Sequence, residues 1–191
     1  MDQAVLDVMA ELEMRNEREK LRGEDGIDAL DPDAAKLMYI IATGTKAKQF
    51  VEVGTGVGYS TLWLGAAAKL VGGKVITCES DNAKADEAQA NIDKAQLSDY
   101  VEIVRGDARE TLRGRTEPVD FLFIDAVFGN YETYFDVVYK RLTTGSLVIA
   151  DNVIEDGYDL DDYITYVRNH PNLDSQTVKI GDGLEITVRL S

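Results

Sequence analysis

The hydrophobic positions along the chain form two helix-like segments and then short apolar runs that alternate with further helices. Apolar residues at the spacing of one helical face predict an amphipathic first helix with an acidic outer side. These residues are Val5, Val8, Met9 and Leu12. A second helix is predicted to begin at Asp31-Pro32 and to end near Gly44. We therefore expect residues 1–30 to form a helical extension ahead of the core.

Beyond the second helix, continuous apolar runs indicate strands of a parallel sheet that is buried on both faces. The runs are residues 50–53, 75–79, 101–104, 121–124 and 147–150. Two further strands, 176–180 and 184–190, flank Gly181-Asp182-Gly183 and leave no room for a crossover helix, so one strand must run antiparallel. The pattern predicts a single domain over residues 1–191, with a doubly wound α/β core at residues 31–191.

Composition narrows the classes of partner and site. The 191 residues carry 20 Lys and Arg against 35 Asp and Glu, a formal net charge of −15. That balance disfavours nucleic acid and anionic membranes as main partners, because both would repel the chain. With Cys78 as the single cysteine and His170 as the single histidine, an intrachain disulfide, a cysteine-based zinc site and a multi-histidine metal site are excluded. No signal-peptide pattern or membrane-spanning apolar run is present, which predicts a cytoplasmic protein.

A glycine-rich loop, residues 51–60 (VEVGTGVGYS), joins the first strand of the sheet to a helix. Glycines allow the backbone to turn sharply and to approach a ligand without a Cβ atom in the way. They are Gly54, Gly56 and Gly58. Glu79 ends the next strand, where a carboxylate can accept hydrogen bonds from two ribose hydroxyls, and Asp107 follows the third strand within reach of an adenine. These features favour an adenosine ligand over a tight turn flanked by surface acids.

The chemistry next to this loop bears on which adenosine ligand it would bind. The spacing is G-x-G-x-G, whereas G-x-G-x-x-G suits the pyrophosphate of a dinucleotide. Glu52 comes immediately before the loop, and a carboxylate there suits an ammonium or sulfonium group better than phosphates. S-adenosylmethionine (SAM) is therefore the predicted cofactor, and an NAD-dependent oxidoreductase is the disfavoured alternative.

Asp125 and the pair Asp151-Asn152 end two strands that we expect to be neighbours, roughly 5 Å apart. Two carboxylates and an amide oxygen form a hard oxygen set suited to Mg²⁺, or alternatively to Mn²⁺ or Ca²⁺. Aspartate and asparagine also commonly cap helices and form turns. These residues considered alone leave both interpretations open.

The ordered set of motifs resembles the cation-dependent O-methyltransferases of the catechol and caffeoyl-coenzyme A type, including their short bacterial members. The motifs are VEVGTGVGYSTLWL at 51–64, Glu79, GDA at 106–108, FIDA at 123–126, ADN at 150–152 and GDGL at 181–184. The resemblance runs from about Asp31 to the C-terminus. It implies a Rossmann-like, seven-stranded class I methyltransferase fold, mostly parallel with an antiparallel C-terminal strand, and relatives of this type are commonly homodimers.

The resemblance also implies a set of site residues. The SAM site would be lined by Glu52, Gly54, Thr55, Gly56, Ser60, Glu79, Asp107, Ala108 and Asp125, with Asp107 beside the adenine. Leu30 lies near the position that closes over the methionine end. Asp125, Asp151 and Asn152 would hold the cation, and Asp125 and Asp151 would thereby serve catalysis.

The sequence departs from the family at the position of the general base. Members usually carry a lysine three residues after the first metal aspartate, whereas Asp125 is followed by Ala126, Val127 and Phe128. The acidic residue often found at the position of Val127 is absent as well. Since Phe128 cannot accept a proton, three outcomes are open. The cation alone acidifies the substrate, another group substitutes for the lysine, or catalysis is weak or absent.

The candidate substitute bases are Tyr131, Glu155 and Tyr158. Alternatively, Phe128 and Tyr131 would form an aromatic wall for a planar substrate, with Tyr158 as a further contact. The leading hypothesis is a methyltransferase acting on a hydroxyl of a small, catechol-like aromatic acceptor. A cofactor-binding pseudo-enzyme and a transfer-RNA hydroxyuridine methyltransferase are the alternatives, and the net charge disfavours the second.

Overall fold

The computed structural model describes residues 1–24, 26–27, 29–154 and 160–191. The strands are β1 Gln49–Val53, β2 Lys74–Glu79, β3 Val101–Arg105, β4 Val119–Ile124, β5 Leu142–Ala150, β6 Leu173–Val178 and β7 Leu184–Arg189. The helices are α1 Gln3–Leu21, α2 Pro32–Gly44, α3 Tyr59–Val71, α4 Asn82–Lys94, α5 Ala108–Thr111, α6 Tyr131–Tyr139 and α7 Asp161–Asn169. Within the described ranges, no helix is both long enough and apolar enough to cross a membrane.

The strands form one seven-stranded sheet in the order β3-β2-β1-β4-β5-β7-β6. Strands β1 to β5 run parallel, whereas β7 is antiparallel to both β5 and β6. The predicted fold class, a mostly parallel doubly wound sheet with an antiparallel strand at its end, is confirmed. The order reverses between β1 and β4, and the carboxyl ends of strands at such a point border a crevice that binds ligands.

The element boundaries differ from the predictions where the apolar pattern is weak. Strand β5 begins at Leu142 rather than at residue 147. The difference arises because residues 143–145 are exposed and carry no apolar side chain. Strand β6 covers Leu173–Val178 rather than 176–180, because an edge strand with polar residues gives no continuous apolar run. The four-residue helix α5 has too few residues to show a helical periodicity.

Hydrophobic layers cover both faces of the sheet. The first layer packs α1, α2 and α3 against one face, and the predicted residues of the first helix, Val5, Val8, Met9 and Leu12, are all buried in it. The second layer packs α5, α6 and α7 against the other face. Strand β4 lies between the two layers, and the four residues 121–124 are completely buried, as expected for a central parallel strand.

The backbones of Gly54 and Asp125 approach each other closely where β1 and β4 end. The amide of Asp125 donates a hydrogen bond to the carbonyl of Val53 at 2.9 Å, and the amide of Gly54 donates to the carbonyl of Cys78 at 3.1 Å. Gly54 has a φ of +97°, and a Cβ atom there would lie 1.7 Å from the carbonyl oxygen of Asp125. Only glycine fits this position, so the glycine loop and the end of β4 are held in one fixed arrangement.

We predict that Gly54→Ala lowers the free energy of unfolding by about 3 kcal/mol or more, since the overlap involves backbone on both sides. Gly44→Ala is the matched control, because a Cβ atom at the end of α2 meets nothing within 4 Å. That control should change stability by no more than about 1 kcal/mol. Urea unfolding followed by circular dichroism measures both, and equal midpoints for the two variants would contradict the close approach.

Candidate functional site

A cavity of about 720 Å³ lies at the carboxyl ends of the parallel strands, over the junction of β1 and β4. Its lining includes most of the residues predicted for the cofactor and metal sites: Leu30, Gly54, Thr55, Gly56, Ser60, Glu79, Asp107, Ala108, Asp125, Asp151 and Asn152. The structure therefore brings together residues that lie up to about 120 positions apart in the sequence. Glu52 is the one predicted cofactor residue that is not part of the lining.

Glu79 presents its carboxylate where the glycine loop meets the end of β2. One oxygen accepts a hydrogen bond from the amide of Gly56 at 2.8 Å, and the other accepts from the amide of Asp81 at 2.8 Å. Each carboxylate oxygen has a second lone pair, so two acceptor positions remain for a ligand. A Cβ atom at Gly56 would meet nothing within 4 Å, so the loop leaves open space beside this carboxylate. The arrangement suits a vicinal diol such as a ribose.

The structure places Glu52 behind the cavity, which differs from the expectation that it lines the cofactor site. Alternation along β1 puts Glu52 on the same face as Phe50, which packs in the layer of α1, α2 and α3. Its carboxylate is fully buried and accepts hydrogen bonds from the hydroxyls of Ser60, at 2.7 Å, and of Thr61. Glu52 thus anchors the start of α3 to β1.

Burial raises the pKa of Glu52 to about 7, and the negative charge of Asp125 adds to that rise. The hydrogen bonds from Ser60 and Thr61 act in the opposite direction, because they favour the charged carboxylate. The desolvation of a fully enclosed carboxyl group is the larger effect.

Asp107 begins α5 and is held by its neighbour Arg109. The carboxylate accepts from the backbone amide of Arg109 at 2.8 Å and from its Nε at 3.0 Å, and these contacts lower the pKa of Asp107. The guanidinium also donates to Oδ1 of Asn130 at 3.1 Å. Arg109 is not predicted as a site residue, because an arginine two residues after a strand-ending aspartate is unremarkable until Asn130 is known to lie opposite.

Two further cationic residues on the cavity lining were also missed. Lys20 comes from the end of α1 and Lys84 from the first turns of α4. Both lie on helices whose outer faces are rich in charge, so nothing in the sequence distinguishes them from other surface lysines. Together with Arg109, they place positive charge on the wall of a cavity that also contains several carboxylates.

The predicted metal residues lie together at the ends of β4 and β5. Ile124 and Ala150 are partners across the two parallel strands, which makes Asp125 and Asp151 neighbours. The amide Nδ2 of Asn152 donates to Oδ1 of Asp125 at 3.0 Å. Asn152 has a φ of +64°, a conformation that asparagine tolerates better than most residues.

The donor set at these strand ends fits a hard divalent cation. Two carboxylates and one amide are the ligands that Mg²⁺ takes when it keeps several waters. In the described part of the chain, no group of three or more histidine, cysteine, aspartate or glutamate side chains is placed to hold a metal ion. The third protein ligand would therefore have to be the amide oxygen of Asn152.

Phe128 and Tyr131 take different places relative to the cavity. Phe128 lines it, whereas Tyr131 is 1% exposed and lies behind Phe128 with the rings stacked at 6.2 Å and 7°. The Tyr131 hydroxyl accepts a hydrogen bond from the amide of Ala126 at 3.4 Å. Burial and the charge of Asp125 raise the pKa of Tyr131, so this phenol stays protonated near neutral pH. Tyr131 therefore supports the wall and is unsuited to act as a base.

The remaining candidates for a base or substrate contact, Glu155 and Tyr158, lie outside the described residues. Phe128 stands at the position where the resembled family carries a lysine, and its ring is stacked on the ring of Tyr131. Tyr131 in turn packs edge-on against Tyr163 at 5.7 Å. Backed by these rings, Phe128 gives the cavity an aromatic wall.

Comparisons with known proteins agree with this geometry. A family model described as a methyltransferase domain matches residues 51–153, which carry the glycine loop, Glu79, Asp107 and Asp125. The catechol O-methyltransferase of Niastella koreensis is 39% identical over 148 residues, 74% of this chain and 66% of the relative. The catechol O-methyltransferase of Mycobacterium tuberculosis is 33% identical over 130 residues, 68% of this chain and 59% of the relative. The matched region thus spans less than two thirds of the length of each of these relatives.

A solved structure extends the similarity to nearly the whole fold. The O-methyltransferase from Bacillus cereus in complex with SAH superposes with a TM-score of 0.82 at 26% identity. The superposition covers 96% of this chain and 90% of that one. The antiparallel strand pair and the crevice at the carboxyl ends therefore belong to a shared architecture.

The raised pKa of Glu52 predicts a specific pH dependence of stability. Because the folded pKa lies above the ordinary value of 4.5, the protonated group contributes stability below about pH 4.5 that is lost as the pH rises to about 7. The change is on the order of 3 kcal/mol. Glu52→Gln should remove it, so this variant gains stability relative to wild type between pH 5 and pH 8.

Urea unfolding at several pH values, in buffer with a chelator, measures this difference. Glu17→Gln is the matched control, because Glu17 is an exposed glutamate on α1. Parallel pH profiles for wild type, Glu17→Gln and Glu52→Gln would show that Glu52 titrates as an ordinary carboxyl group.

Proposed function

We propose a function from one premise: this chain belongs to the methyltransferase family, and within it to the catechol and caffeoyl-CoA O-methyltransferase type. The proposed reaction moves the methyl group of SAM to a hydroxyl of a small, catechol-like aromatic acceptor held by a divalent cation. One observation carries the proposal. Glu79, a carboxylate with acceptor positions left open, and the oxygen-bearing side chains of Asp125, Asp151 and Asn152 line the same cavity.

The cofactor half of the proposal rests on the glycine loop and the strand ends beside it. The relative from Bacillus cereus is in complex with SAH, which is SAM without its transferable methyl group. In this chain Glu79 would accept hydrogen bonds from the ribose hydroxyls, in the space that Gly56 leaves open. Asp107 and Ala108 would lie at the adenine end, while Ser60 and Leu30 would lie toward the methionine end.

Asp125, Asp151 and Asn152 would hold the cation. A bound divalent cation lowers the pKa of a coordinated hydroxyl and so favours the phenolate that attacks the methyl group. The chain's own contribution is to position the acceptor. Phe128 offers its ring face to a planar substrate, and Tyr131 keeps that ring in place from behind. Holding the acceptor oxygen in line with the sulfonium methyl supplies much of the rate gain in such a transfer.

The proposed methyl transfer forms one bond and breaks one bond. The acceptor oxygen forms a bond to the methyl carbon, the carbon–sulfur bond breaks, and its electron pair stays on the sulfur to give neutral SAH. The hydroxyl proton leaves to solvent. Phe128 cannot take it, and Tyr131 stays protonated because burial raises the pKa of its hydroxyl.

The second candidate is a protein that binds the cofactor without catalysing transfer. Phe128 favours it, because an aromatic ring occupies the position of the lysine that acts as base in the resembled family. A homodimer in the cytoplasm remains a prediction for either function. Methylation of transfer RNA remains the third alternative, which the net charge of −15 disfavours.

Calorimetric titration with SAM tests the cofactor half. We expect wild type to bind and Glu79→Ala to bind about 10- to 100-fold more weakly, since hydrogen bonds to a charged group are lost. Glu102→Ala is the control, because Glu102 is an exposed glutamate on β3 that pairs with Arg115 and does not line the cavity. Equal affinity of wild type and Glu79→Ala would remove Glu79 from the cofactor site.

The metal half is tested by Mn²⁺ binding, read by electron paramagnetic resonance, together with methyl transfer to catechol in Mg²⁺. Asp151→Asn keeps the shape of the side chain and removes its charge, so we expect it to bind Mn²⁺ at least about tenfold more weakly. Asp174→Asn, an exposed position on β6, should match wild type. Transfer by wild type that survives a chelator would refute the proposed role of the cation, and Mn²⁺ and SAM binding without transfer would favour the second candidate.

A further inference from the structure

We propose that Arg109 is a positioning residue that ties the adenine end of the cofactor site to the loop carrying the acceptor wall. The inference rests on the proposed function, because it assigns Arg109 a part in the same site. It begins from a single side chain that contacts two segments of the cavity wall, at Asp107 and at Asn130.

The first contact is with Asp107, at the junction of β3 and α5. The carboxylate receives the backbone amide, Nε and Nη2 of Arg109, so both of its oxygens are already engaged by this one residue. A carboxylate offers about four acceptor positions, and three of the donors here come from Arg109. Asp107 consequently has little capacity left for a ligand. Its conformation, and that of the adenine end, depends on the arginine.

The second contact reaches the loop between β4 and α6. Nη1 of Arg109 donates to Oδ1 of Asn130 at 3.1 Å, across 21 residues of sequence. This loop carries Asp125 at its start and Phe128 near its middle. On its other side, the amide of Ala126 donates to the hydroxyl of the buried Tyr131. The loop is thus held between Tyr131 and Arg109.

The middle of this loop is exposed and loosely packed. Val127 is 64% exposed, and Gly129 has a positive φ with no neighbour within 4 Å of a Cβ position. Asn130 precedes α6 but makes no side-chain cap to that helix, so its side-chain oxygen is available to Arg109. The planar guanidinium can hold two acceptors in fixed directions at once, which a lysine ammonium cannot do in the same way.

Four variants separate the two contacts. Arg109→Met removes both, whereas Asn130→Ala removes the contact with the loop and leaves the pair with Asp107 in place. Arg109→Lys should keep a pair with Asp107 and lose Asn130, so it should behave like Asn130→Ala. The double variant Arg109→Met with Asn130→Ala completes a cycle. Arg113→Met is the control, since Arg113 is 69% exposed and pairs only with Glu110 among the described residues.

Two measurements give the readout: the affinity for SAM by calorimetry, and the hydrogen exchange of backbone amides 126–130 with and without SAM. We expect SAM to slow exchange of this loop in wild type. Arg109→Met should weaken SAM binding about tenfold and abolish the slowing. Asn130→Ala and Arg109→Lys should lose the slowing, and they should weaken SAM binding less than Arg109→Met does, because the pair with Asp107 remains. The double variant should match Arg109→Met, because Asn130 acts through Arg109.

The results that overturn the inference are distinct from those that overturn the proposed function. A wild-type chain that does not bind SAM refutes the proposed function, and the inference falls with it. A wild-type chain that binds SAM, with unchanged affinity in Arg109→Met or unchanged loop exchange in Asn130→Ala, refutes the inference alone. Additive effects in the double variant would likewise show that the two residues act separately.

Discussion

The close approach of the Gly54 backbone to the carbonyl of Asp125 is the constraint on which the rest of the site depends. It joins the turn after β1 to the end of β4 at the place where the strand order reverses. The glycine loop, which would hold the methionine end of SAM, is thereby placed directly beside a carboxylate suited to a cation. A side chain at residue 54 would separate the two, so the proximity of the proposed SAM and cation sites is a property of the backbone.

Two glutamates near the glycine loop show how the same chemical group serves different purposes in different surroundings. Glu52 is enclosed by the α3 side of the sheet, where the hydroxyls of Ser60 and Thr61 stabilise it and its pKa is raised to about 7. Glu79 faces the cavity and organises two backbone amides, those of Gly56 and Asp81. The first glutamate anchors the start of α3 from behind the loop, and the second keeps acceptor positions open toward the cavity.

The residues at strand ends were predictable, because an apolar run followed by an aspartate or glycine marks the point where a parallel strand enters the crevice. Asp125, Asp151 and Glu79 were found in that way. The place of Glu52 behind the cavity could be read only from the alternation with Phe50 along β1, which the glycine motif beside it does not show. The role of Arg109 could not be predicted from the sequence, because its partner Asn130 becomes a neighbour only when α5 and the loop before α6 are packed. The spacing of Tyr131 predicts that it lies on a helix, but it does not predict that its ring stacks behind Phe128.

The aromatic wall bears on how the acceptor hydroxyl would lose its proton in the proposed reaction. A lysine beside Asp125 would take a proton at a fixed position, whereas Phe128 backed by Tyr131 and Tyr163 can only orient a ring and exclude water. In the proposed reaction, deprotonation would depend on the acidity of the acceptor hydroxyl and on the cation that Asp125 and Asp151 would hold. Methyl transfer from a sulfonium to a phenolate brings opposite charges together and removes them, so it gains most from a site that is dry and well oriented. In the proposed function the cavity would supply orientation through the ring of Phe128 and carboxylates for the cation, without a base of its own at that position.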